Sequence, residues 1–362
     1  MDRSAAHGAV KPRFQIATPA DDEAIRRLLR ENPMRGSVSV SFEREPSYFV
    51  GANIADGSDQ TIVVREGEKL VCMGRCIRRE CWLNGRPHDV GYLAELRLDA
   101  SAEGRFGIIR DGFRFFHEKQ RDNPAAFYFT CIAADNKRAR RLLESGARGL
   151  PEYSFLGELD TLLIAVPDRP PRVAPHVERM TDEHTEEVLI LLSKHGRKFS
   201  LATHWTKERL RSLAVHGLPE LFVMKDGDDI IACGGLWDQR GFRQTVVRGY
   251  SRALRIARPI VNCASRLFGG VQLPAVGTTL SQVFLTPFVA GPSLPGFIAG
   301  LLPFTAGVGF ITVALPRLHE TTAAIRRSFT TKTWRSRLYR VSWPGDDALE
   351  IKGAVLPEVA LL

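Results

Sequence analysis

The stretch AVPDRPPRVAPH, residues 165–176, carries prolines at 167, 170, 171 and 175. Proline at this density removes amide donors and fixes φ. Neither a helix nor a central strand can run through it, which leaves an extended connector. It parts a chain of 362 residues into two segments of similar size, each long enough for a domain. The expected division is a first domain over 12–165, a linker over 166–175, a second domain over 176–345 and a tail over 346–362.

The two segments repeat one order of elements. The first opens with RFQIA and then TPADDEAIRRLLREN, in which Thr18 can cap, Pro19 suits the first turn and Ala24, Ile25, Leu28 and Leu29 form an apolar stripe. The second opens with HVERM and then TDEHTEEVLILLSKHG, in which Thr181 can cap and Val188, Leu189, Leu191 and Leu192 repeat the stripe. A meander of strands follows in each, with turns expected at Glu66-Gly67, Asn84-Gly85 and Asp226-Gly227. Helix, strand and helix complete both halves: FGIIRDGFRFFHEKQ, AFYFTCIA and NKRARRLLESG in the first, SLPGFIAGLLPFTAG, FITVAL and LHETTAAIRRSF in the second. The plan is mixed α+β, written twice.

In the first half, the strand ending at Leu98 runs through the turn AEGRFG into a helix. A glycine-bearing turn between strand and helix offers backbone amides to an anion. With the element order, EGRFGI (103–108) and NKRARRLL (136–143) resemble the signatures of the GNAT acyltransferases, and the chain as a whole is similar to a tandem GNAT protein. The resemblance implies two GNAT-like domains, each a mixed, largely antiparallel sheet flanked by helices. It implies acetyl-CoA or another acyl-CoA as co-substrate, bound by Leu96, Leu98, Glu103, Gly104, Arg105, Phe106, Gly107, Ile108, Asn136 and Arg140. The sequence departs from the family pattern at Glu103, Phe106 and Leu143, the last standing where a tyrosine acid is usual. In the second half, Pro292 and Pro295 occupy the place of the turn and remove amides, so cofactor binding is expected in the first half alone.

Acyl transfer to an amine needs a group to take the proton and donors to hold the oxyanion. Alternation along VGYLAELRLD places Tyr92, Ala94, Leu96 and Leu98 on one face and Leu93, Glu95 and Arg97 on the other. Glu95 is the expected base, against a plain salt bridge to Arg97. Tyr128, with Tyr153 behind it, is the substitute acid, against an ordinary core aromatic. The implied function is N-acyltransfer, acetyl by first preference, to a small-molecule or peptide amine. Two alternatives stay open: a non-catalytic tandem GNAT-like ligand-binding protein, and a transferase resembling the aminoacyl-tRNA-dependent ligases.

The net charge of +9 is unevenly spread. Residues 239–319 hold eight arginines and no acid, and in RQTVVRGYSRALRIARPIVNCASRLF the side chains of Arg248, Arg252 and Arg255 would share a helix face. That strip suits an anionic partner, with nucleic acid or a peripheral membrane contact as candidates, or is simply a solvated face. The uncharged run 267–316 could be read as a membrane span. Its prolines and glycines divide it instead into a strand (282–288), a short buried helix (294–306) and a strand (310–315). The six cysteines form no CxxC pair and fit no common zinc spacing, so no metal is expected. No secretory pattern opens the chain, and the cytoplasm is the expected compartment. Nothing in the sequence fixes an oligomeric state.

Overall fold

A computed structural model describes residues 11–50, 59–171, 176–215, 220–268, 272–289, 291–346 and 349–362. Residues 172–175 of the proline linker and 347–348 of the tail lie outside the described residues.

The first half runs β1 (Arg13–Ile16), α1 (Asp22–Glu31), β2 (Val38–Glu43), β3 (Asp59–Glu66), β4 (Lys69–Leu83), β5 (Arg86–Leu98), α2 (Phe106–Gln120), β6 (Phe127–Ala133), α3 (Lys137–Leu143) and β7 (Glu152–Ala165). The second runs β8 (Val177–Arg179), α4 (Thr185–Gly196), α5 (Lys207–Val215), β9 (Glu220–Asp226), β10 (Asp229–Trp237), β11 (Gln244–Tyr250), α6 (Arg252–Phe268), β12 (Gln282–Phe288), α7 (Leu294–Leu301), β13 (Phe310–Pro316), α8 (Glu320–Ser328) and β14 (Thr331–Ser342). The expected turns are present, with Gly67, Asn84, Gly85 and Gly227 all at positive φ. Thr18 and Asp21 close a capping box ahead of α1, the carboxylate accepting from the Thr18 amide at 2.9 Å.

Twelve strands form one sheet in the order β1-β3-β4-β5-β6-β14-β7-β13-β12-β10-β9-β8. The centre is an exchange. β14, the last strand of the second half, lies between β6 and β7 of the first, while β7 lies between β14 and β13. β7 and β14 pair antiparallel from Ile164↔Thr331 to Glu152↔Ser342. Each half therefore completes its sheet with a strand of the other, and separating them would bare the edges of β6 and β13. A second link is the small sheet of β2 with β11, in which Val40 faces Val247.

α1 and α2 cover opposite faces of the first half. Ile25, Leu28 and Leu29 of α1 pack with Tyr48, Val63 and Met73, and Ile108 of α2 packs with Val64, Val71 and Cys72. In the second half the uncharged run resolves into β12, α7 and β13, much as its prolines and glycines divide it. Leu294, Phe297, Ile298 and Leu301 of α7 are completely buried in the core. Among the described residues no helix is long and apolar enough to cross a membrane.

The basic segment differs from its sequence reading. Arg248 is not on a helix; it lies in β11 and pairs with Glu43 of β2. The run Thr245-Val246-Val247 carries three β-branched residues in a row, which favours the pleated pairing with β2. Arg252 and Arg255 stand exposed on α6 beside Ile256 and Ile260, and the Arg266 side chain lies outside the described residues.

Candidate active site

β5 and β6 are parallel and pair over three registers only, from Val90↔Phe127 to Tyr92↔Phe129. Beyond that point they part. The Thr130 hydroxyl of β6 reaches back across the fork and donates to the Leu93 carbonyl at 2.7 Å, satisfying an acceptor that strand pairing has released. On its other side β5 carries a bulge. The register with β4 steps from Arg75↔Ala94 to Met73↔Arg97, leaving Glu95 and Leu96 opposite Gly74, with Glu95 at φ 52.

The bulge overturns the expected alternation. Leu93, Leu96 and Leu98 turn toward α2, Leu96 and Leu98 packing with Ala102 and Ile108. Tyr92 and Ala94 pack on the other side with Leu159 and Leu338. Glu95 joins that second side and meets Arg44, with Arg75 at 3.6 Å, in place of Arg97.

A cavity of about 360 Å³ occupies the fork and is lined by residues from both faces of the sheet. On the helix face its wall is apolar: Leu96, Ile109, Phe113, Phe116, Ile132 and Leu143. On the opposite face the wall carries Arg44, Arg75, Arg97, Arg243 and Glu95, with Thr245 and Gln282 from the second half. Both halves of the chain thus build one space, of a size ordinary for a ligand pocket.

Glu95 is at the wall as expected, in surroundings that leave it little basicity. Its carboxylate accepts from Arg44 Nε at 3.1 Å, from Arg44 Nη2, and from the Tyr48 hydroxyl at 3.1 Å. Burial raises its pKa, but Arg44 and Arg75 outweigh that and hold it far below the usual carboxylate range. A proton acceptor so stabilised as an anion is a weak base. Tyr128 is not a cavity residue. Its hydroxyl accepts from the Ala125 amide at 2.9 Å and donates to Gln120 at 3.3 Å, its ring packs on Phe116, and burial pushes its pKa up to about 12. Tyr153 does line the cavity.

The expected anion turn is partly self-satisfied. A 3-10 turn, Ala100–Ala102, precedes it, and the amides of Arg105, Phe106 and Ile108 donate to Ala102, Gly104 and Arg105 carbonyls at 3.0–3.1 Å. Gly104, at φ 81, is required by this geometry, whereas a Cβ at Gly107 would meet open space within 4 Å. Glu103 binds Arg138 of α3 at 2.8 Å, and Arg105 binds Glu66 of β3. Asn136 lines the cavity and also caps α3, its Oδ1 accepting from the Ala139 amide at 3.1 Å. Arg140 donates to Glu144 at 3.1 Å and to the Ala134 carbonyl at 3.0 Å. Leu98 packs under α2 beside the cavity without lining it.

Sequence reasoning missed Arg44, Arg75 and Arg243, because they reach the fork from just after β2, from β4 and from just before β11. The one available signal was the acid-free arginine segment that contains Arg243. No group of His, Cys, Asp or Glu able to hold a metal occurs among the described residues.

No family model and no curated relative matches the sequence. Solved structures do. A crystal structure of Saccharomyces cerevisiae N-myristoyltransferase with bound myristoyl-CoA is 10% identical, with a TM-score of 0.62 over 96% of this chain and 82% of that one. A second, with myristoyl-CoA and inhibitors, is 12% identical with a TM-score of 0.60 over 97% and 87%. A GCN5-related N-acetyltransferase from Anabaena variabilis is 10% identical, with a TM-score of 0.49 over 91% of this chain and 72% of that one. The resemblance read from the sequence holds at the level of the fold: the chain shares the fold of these N-myristoyltransferases, with a GNAT-like mixed α+β plan in each of its two halves.

Proposed function

We propose that the chain is an N-acyltransferase that moves an acyl group from an acyl-CoA to an amine, with the reaction placed in the fork between β5 and β6. The observation that carries this reading is the cavity in that fork, whose lining is apolar on the α2 face and cationic on the other. Two substrates entering from opposite faces would meet at the strand ends without competing for one mouth. The acyl-CoA would lie on the α2 side, its acyl chain against Ile109, Phe113 and Phe116 and its phosphates toward Gly107 at the start of α2. The amine would arrive from the side of Arg97 and Arg243.

In the reaction the amine nitrogen attacks the thioester carbonyl, a C–N bond forms and the C–S bond breaks. The electron pair of that bond leaves on the CoA sulfur, and the proton given up by nitrogen balances it as thiol. Glu95 contributes fixed charge that orders Arg44 and Arg75, and it takes no proton. The second half, over 176–345, completes the acceptor side of the cavity and binds no cofactor of its own. Similarity to N-myristoyltransferases and the fork itself support this reading over a purely structural one.

The test is thiol release from acetyl-, octanoyl- and myristoyl-CoA in the presence of amino acids, simple amines and N-terminal peptides, with calorimetric binding of each thioester to the full chain. Turnover with any acceptor supports the transferase. Tight binding without amine-dependent turnover would instead favour a ligand-binding protein. Absence of both would remove the reading.

A further inference from the structure

The acceptor side of the cavity holds more cations than anions. Its wall carries the guanidinium groups of Arg44, Arg75, Arg97 and Arg243 against one side-chain carboxylate, that of Glu95. Asp59, outside the wall, pairs with Arg75 at 2.8 Å and 2.9 Å. Arg44 is spent on Glu95. Arg243 donates to the main-chain carbonyl of Ala360, at 3.0 Å, and to the main-chain oxygen of Leu362, which also lines the cavity.

Arg97 is different. Among the described residues its one hydrogen bond runs to the carbonyl of adjacent Leu96, at 3.0 Å, and no carboxylate lies within ion-pair distance. The bulge at Glu95 is what turns it to this face, so its placement follows from the geometry of the fork. Several guanidinium groups in a partly enclosed, low-dielectric space repel one another unless an anion joins them. The effect registers on Arg243, whose pKa burial and then Arg44 lower to about 9, and burial also lowers Arg97.

We infer that the acceptor is an amine that itself carries an anionic group, and that Arg97, backed by Arg44 and Arg243, binds that group and directs the nitrogen toward the fork. The inference rests on the acyltransferase reading for the word acceptor, but the anion site stands on its own geometry. Guanidinium pairs with either carboxylate or phosphate in a forked arrangement, so the shared chemistry is an oxyanion on a small amine. An arginine that faces a cavity with no carboxylate in ion-pair contact is also a cost to the folded protein, of the kind that a binding site retains for function.

The experiment uses the full chain, Arg97→Met and Arg97→Lys. Without ligand, Arg97→Met should raise the melting temperature by about 2 °C, since it removes from a confined space a cation whose burial outweighs the favourable field of Glu95. A fall would make Arg97 a structural residue and overturn the anion site. Malonate, against chloride at matched ionic strength, should stabilise the wild type and leave Arg97→Met unmoved; equal effects on both would also overturn it.

For the acceptor, thiol release is compared within pairs that differ only in the anion: phenylalanine with its amide, leucine with isopentylamine, and phosphoethanolamine with ethanolamine. The anionic member should be favoured at least tenfold in kcat/KM in the pairs that turn over. The carboxylate pairs and the phosphate pair separate the two sources. Arg97→Met should bring the ratio to about one, with Arg97→Lys between. Equal rates within every pair in the wild type would overturn the acceptor inference. If no thioester binds or turns over, it is the transferase reading that has failed, and the melting and malonate results then decide the anion site alone.

Discussion

The two halves fork in the same way and put the fork to different use. β12 and β13, like β5 and β6, are parallel and pair over three registers, from Gln282↔Phe310 to Phe284↔Thr312, before their pairing stops. In the first half the gap is a cavity of about 360 Å³. In the second it is closed by the chain itself. The 3-10 turn Val359–Leu361 lies against β12 and β13, and Leu356 enters the core beneath α7. Glu358 accepts hydrogen bonds from the Trp205 indole, at 2.8 Å, and from Thr286 of β12. A fork creates unpaired backbone and a void, and a protein can meet both needs with a ligand or with its own segment. Here one fork stays open as a cavity and the other is filled by the chain.

The largest expected effect comes from opening the closed fork. Leu356→Ala should cost about 2–4 kcal/mol, because it empties a packed core, whereas Leu96→Ala at the open fork should cost less than about 1 kcal/mol, since that side chain already borders space. Denaturant titration of the two variants measures the difference, and equal costs would break the contrast.

A smaller effect is tied to pH. Burial raises Glu358 to about 7 despite the hydrogen bonds from Thr286 and Trp205. A carboxyl whose folded pKa is raised contributes stability below its unfolded value, near 4.5, and loses it as pH rises through 7. Glu358→Gln should therefore be neutral near pH 4 and more stable than the wild type by about 2 kcal/mol at pH 8. Melting curves across that range check it, and a constant difference at all pH values would contradict the burial argument.

The smallest effect on the fold, and the most specific for ligand, is at Gly107. Its side-chain direction opens on space, and α2 needs no special φ there. Gly107→Trp should leave the melting temperature unchanged and weaken acyl-CoA binding about tenfold or more, by filling the approach to the helix start. Calorimetry on the variant checks both parts, and unchanged affinity would mean that the phosphates lie elsewhere.

Much of this contrast could be read from residues alone. Pro292 and Pro295 already set the second turn apart, and the glycine turns and apolar stripes located most helices and hairpins. Three things could not be read. The β7–β14 exchange joins residues far apart in sequence, and either strand could pair in its own half with the same alternation. The bulge at Glu95 carries no glycine or proline to announce it, so strict alternation sent Glu95 and Arg97 to the wrong face. β2 was legible in principle, as the period-two run SVSVSFE, but its partner β11 lies in the other half. The site is assembled from such distant pieces: Arg44 follows β2, Arg97 follows the bulge, and Arg243 precedes β11.

The central claim is that one fork is a substrate site and the other is filled. A crystal structure of the full chain soaked with octanoyl-CoA tests it most directly. The account predicts one thioester per chain, with its pantetheine arm between β5 and β6 beyond Tyr92 and Phe129, and the Val359–Leu361 turn unmoved against β12 and β13. A thioester lodged in the second fork, or bound to neither, would contradict it.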